Sequence, residues 1–183
     1  MGAVLDIMVP RRGAVLRMVL LVLCALLAVA VEAAPVGLHP GALPSPDLLA
    51  LAVAVFAVRQ PEAVPILLVF ALGLLRDLLT DLPVGLGTLS LVFFAEALRG
   101  LSARLSRASL LTEWLAVSLS LLLMMALQYL LVLLVFSQPP YFLTLGRQWA
   151  ITVAIWPLAF LLLRWGLGVR PAASDGREAR HGT

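Results

Sequence analysis

The sequence predicts an all-α integral membrane protein, a bundle of about six transmembrane helices with the second one short, and three observations carry that prediction. Of 183 residues, 62% are hydrophobic and only 13% charged, whereas a soluble domain is about 25% charged. Mean hydropathy is +1.07, and apolar runs recur from the N-terminal region almost to the end. All thirteen basic residues are arginines standing singly or in small groups between those runs. Polar side chains are too few to coat a water-soluble fold, so the solvent of the surface is lipid.

A helix rises about 1.5 Å per residue against about 30 Å of hydrocarbon, so apolar stretches near twenty residues are the units to find. They fall at 14–34, 45–59, 61–80, 84–100, 112–136 and 147–166. Around the first, Arg11, Arg12 and Arg17 are followed by an apolar run to Val31 and then by Glu32-Ala33-Ala34-Pro35. That pattern resembles a cleavable signal peptide, but an uncleaved first span is expected. The second starts with a capping Ser45, Pro46 at the first helical position and Asp47 near the positive end of the helix dipole. From Ser45 to Arg59 it reaches only about 22 Å, so it crosses barely or re-enters. Pro61 and Glu62 start the third helix after a very short turn, which makes the two an antiparallel hairpin. The fourth follows Pro83 with Gly85 and Gly87 at its beginning, suited to a turn and a close helix crossing. Thr112 and Glu113 open the fifth, the longest, which carries Gln128 in mid-span. Trp114, Trp149, Trp156 and Trp165 stand mainly toward helix ends, as interfacial anchors do.

Basic residues are retained on the cytoplasmic side. With the N-terminus inside, six spans leave only Arg76 and Arg147 near the opposite face, so both termini are expected in the cytoplasm. Residues 1–170 form a single transmembrane domain, and 171–183 a polar tail too poor in apolar residues to order itself. Dispersed arginines do not make a nucleic-acid surface.

Catalysis needs nucleophiles, acids or metal ligands gathered in a pocket. His39 and His181 are isolated, Cys24 is the single cysteine, and neither a phosphate-binding glycine loop nor a nucleophile elbow is present. No enzyme, metal or cofactor is expected. Ionisable groups near the membrane core are the informative ones, because they are costly there. Arg76 and Asp77 close the third helix, and Gly73 shares a face with Asp77 four residues on. They form either a polar docking point between helices or a solvated helix end. Glu96 has Arg99 at ion-pair spacing, and Gln128 calls for a hydrogen-bond partner on another helix.

The order Ser45-Pro46-Asp47-Leu48-Leu49, Arg59-Gln60-Pro61-Glu62, Gly73-Leu74-Leu75-Arg76-Asp77-Leu78-Leu79 and Pro83-Val84-Gly85-Leu86-Gly87 resembles the rod shape-determining protein MreD family, most strongly over 45–100. The resemblance implies a non-enzymatic component of the bacterial inner (cytoplasmic) membrane that serves cell elongation and lateral peptidoglycan synthesis. It would bind MreC and work with MreB, RodA and a class B penicillin-binding protein. Pro46, Asp47, Pro61, Gly73, Asp77, Pro83 and Gly85 fall on the motif, with roles in fold and helix contact. The face of Gly73 and Asp77 is the expected partner contact. A different class, a vitamin-type substrate-binding subunit of a transporter, is the alternative. It would require polar and aromatic groups around a cavity, and the expected external loops 35–44 and 137–145 offer few.

Overall fold

The computed structural model describes residues 12–33, 45–80, 84–135 and 142–166. The tail 171–183, the first external loop and both histidines lie outside them. Among the described residues six helices run in order: α1 (Arg12–Ala33), α2 (Leu48–Arg59), α3 (Ile66–Leu79), α4 (Leu86–Leu105), α5 (Leu110–Val135) and α6 (Phe142–Gly166), with a 3-10 turn at Pro61–Ala63. Among the described residues there is no strand. Four helices, α1, α4, α5 and α6, are long and apolar enough to cross a membrane. At about 18 Å and 21 Å, α2 and α3 are not.

Helix α2 is the centre of the bundle. Every residue from Leu49 to Val58 is buried, and α2 packs against α1, α4 and α6. An evenly apolar helix of Leu, Ala, Val and Phe suits that position, because neighbours cover it on all sides. The outer helices present the reverse, with Leu16, Leu67, Leu111, Leu123, Leu134 and Leu162 each more than 60% exposed. Such side chains in quantity face lipid. In that setting helices associate through packing and interhelical hydrogen bonds rather than the hydrophobic effect.

Element boundaries moved where local chemistry overrode the apolar pattern. Ser45 and Pro46 precede α2, and Asp47 is its N-cap, its Oδ1 accepting from Ala50 N at 2.8 Å. The third helix begins at Ile66 rather than at Pro61. Val64, with φ −118° and ψ 63°, stands before Pro65, whose ring disfavours the helical conformation in the preceding residue. The linker therefore runs from Gln60 to Pro65. At its other end α4 continues past Gly100 to Leu105, and α6 starts at Phe142, ahead of Arg147.

Trp114, Trp149 and Trp156 make contacts inside the bundle rather than standing only at helix ends. Pro157 lies inside α6 and has no N–H to offer the carbonyl four residues back. That carbonyl belongs to Val153, and Trp114 Nε1 of α5 donates to it at 3.1 Å. Trp149 Nε1 of α6 donates in return to Ser118 O of α5 at 3.0 Å. Trp156 is buried and stacks on Phe160, ring centroids 5.2 Å apart.

Candidate functional site

Two charged clusters cap the two ends of α2. At its N-terminal end, Asp47 and Glu32 converge on a single guanidinium. Arg76 Nη1 lies 3.1 Å from Asp47 Oδ2, and its Nε 3.3 Å from Glu32 Oε2. All three side chains are almost fully excluded from solvent. Glu32 Oε1 also accepts from Leu49 N at 3.0 Å, so both carboxylates draw on the unpaired N–H groups and positive dipole of α2's first turn. Asp47 N in turn donates to Thr152 Oγ1 at 3.0 Å. Thr152 is ten residues into α6, about 15 Å along its axis from the first residue. The network thus ties α1, α2, α3 and α6 together well within the length of α6.

Asp77, the next residue of α3, turns to α4. Its Oδ2 accepts from Gly85 N at 2.9 Å, Thr88 N at 2.9 Å and Thr88 Oγ1 at 2.8 Å. It caps the α4 N-terminus from another helix, a task usually done by the N-cap's own side chain. Gly85 occupies that N-cap position with φ +94°, a conformation that excludes most other residues and leaves no side chain to cap with. A Cβ on Gly87 would fall on Asp77 Oδ1, with Cγ at 3.1 Å, and one on Gly73 would stand 3.0 Å from Thr88 Cα. The two glycines let α3 and α4 close to the distance the Asp77 bonds require.

At the C-terminal end of α2, Arg59 Nε donates to Glu113 Oε1 at 3.3 Å, and its Nη2 to Glu113 Oε2. Glu113 is fully buried, and the Arg59 guanidinium sits 5.0 Å from the Phe160 ring centroid. Glu113 therefore joins α5 to α2, beyond its role as a helix-start residue.

Of the residues singled out in the sequence, the structure brings Asp47, Arg76, Asp77, Gly73 and Gly85 into one region around the N-termini of α2 and α4. The Gly73–Asp77 face is packed against α4 of the same chain. The solvated-end alternative does not hold, since Arg76 is 6% and Asp77 1% exposed. Pro46 precedes the Asp47 cap and Pro61 opens the 3-10 turn. Glu96 pairs with Arg99 on α4, away from the cluster. Gln128 is half-buried, and no described residue bonds its amide. Sequence reasoning missed Glu32 and Thr152 in the Arg76 network, and Glu113 as a pairing residue. Glu32, an acid closing an apolar run, was the one available signal.

Among the described residues, no group of three or more His, Cys, Asp and Glu could hold a metal ion, and the buried carboxylates Glu32, Asp47, Asp77 and Glu113 are engaged by helix ends and arginines. The arrangement fixes helices to one another. A family model described as rod shape-determining protein MreD matches residues 12–165. No curated protein and no solved structure matches the chain.

Proposed function

Because the chain belongs to the rod shape-determining protein MreD family, we propose that it is a non-enzymatic subunit of the bacterial elongation complex in the inner membrane. In this reading it binds MreC and supports lateral peptidoglycan synthesis alongside MreB, RodA and a class B penicillin-binding protein. The family match over nearly all of the helical bundle carries the proposal. The inward use of the charged residues supports it, since a rigid helix scaffold suits binding.

In this proposal α1, α4, α5 and α6 span the membrane and the shorter α2 and α3 run antiparallel within the bundle, with both termini cytoplasmic as the arginine distribution favours. The contacts of Gly73 and Asp77 hold the fold, and a partner's transmembrane helix meets an outward face. A groove between α1, α2 and α6 includes Cys24, Ala28, Ala52 and Ala159, small residues of the kind that permit close helix approach.

The experiment is depletion in the rod-shaped host, with cell width followed by microscopy and partners recovered in mild detergent. Rounded cells and recovered MreC are the expected outcome. Normal shape with a nutrient requirement would overturn it in favour of a transporter subunit.

A further inference from the structure

We propose that the cleft between the C-terminal ends of α2 and α4 is a binding site for the phosphate headgroup of an anionic phospholipid, held by Arg59 and Arg107. The cleft has a volume of about 280 Å³ and is lined by Arg59, Pro61, Ser102, Ala103, Ser106 and Arg107. It differs from three other grooves of the bundle, whose walls are almost wholly apolar.

Two guanidinium groups reach it in different states. Arg59 is immobilised, with Nε and Nη2 on Glu113 and its plane beside Phe160. Its Nη1 donates to no described residue, which leaves a fixed donor on a side chain that lines the cleft. Arg107 is exposed and has no ion pair among the described residues. Arg104, exposed on the last turn of α4, answers the partial negative charge of that helix end. Arg107 remains for an external anion. A pre-set donor beside an adaptable cation suits a phosphate oxyanion, which arginine recognises through paired N–H groups.

The source of the phosphate follows from position. The cleft opens at an end of a lipid-embedded bundle, at the last turn of α4, where a phospholipid places its headgroup and acyl chains together. Basic pockets between transmembrane helices bind anionic headgroups on this principle.

The test is native mass spectrometry of the full-length protein in nonionic detergent, titrated with dioleoyl phosphatidylglycerol, dioleoyl phosphatidylcholine or inorganic phosphate. The expected result is one tightly retained phosphatidylglycerol, with phosphatidylcholine weaker and inorganic phosphate unable to displace it. Arg107→Ala should weaken retention about fivefold, as expected for one basic residue at a lipid surface. Ala103→Phe, which fills the cleft without altering charge, should abolish the tight site. Arg104→Ala removes the same charge outside the cleft and should leave it intact. Equal losses for Arg104→Ala and Arg107→Ala would overturn the proposal in favour of diffuse surface attraction. Displacement by inorganic phosphate would overturn the lipid as the source.

Discussion

Replacing Arg76 by Met removes the one cation that Glu32 and Asp47 share, at 3.3 and 3.1 Å, while keeping much of the side chain's volume. Both carboxylates are more than 90% buried, so each is left with backbone donors and no countercharge. Breaking a buried pair by deleting one partner costs about 3–5 kcal/mol. The retained bonds from Leu49 N and Ala50 N place the expected loss toward the lower end, about 3 kcal/mol. Neutralising the acids as well, in Arg76→Met with Glu32→Gln and Asp47→Asn, removes the uncompensated charge. Asn serves as an N-cap about as well as Asp, so the triple variant should recover at least half of the loss. The assay is reversible unfolding in mixed micelles, followed by tryptophan fluorescence. A single variant within about 1 kcal/mol of the parent, or a triple variant no more stable than the single, would refute the idea that charge compensation holds α1, α2, α3 and α6 together.

Three further outcomes follow from the same contacts. Gly87→Ala drives a methyl onto Asp77 Oδ1 and should destabilise by about 1–3 kcal/mol in that unfolding assay; a neutral result would mean that α3 and α4 can separate freely. Glu113→Ala leaves Arg59 without its buried partner and should lose about 3 kcal/mol, with Arg59→Met/Glu113→Leu recovering most of it, as a double-mutant cycle would measure. Trp114→Phe orphans the Val153 carbonyl and should cost about 1 kcal/mol. That cost should shrink in a Pro157→Ala background, where the substituted alanine supplies the missing backbone N–H; equal costs in both backgrounds would break the link between the proline and the indole.

The apolar runs alone determined that this chain lives in lipid, that it is all-helical and roughly where its helices lie, because the length of a span and the exclusion of charge from hydrocarbon are written residue by residue. The short second segment, expected over 45–59 and found as a helix from Leu48 to Arg59, and the Glu96–Arg99 pair were legible for the same reason, being local in sequence. The family resemblance also lay in the motifs around Asp47, Gly73, Arg76 and Asp77. The tertiary structure decided what those residues do. Arg76 selects Glu32 and Asp47, 44 and 29 positions away in the chain, and Asp77 caps a helix other than its own. Glu113 turns inward to Arg59, and a proline in α6 creates the acceptor that a tryptophan in α5 fills. A buried charge takes whichever partner the packing of helices brings within about 3 Å. Distance along the chain carries no record of that choice.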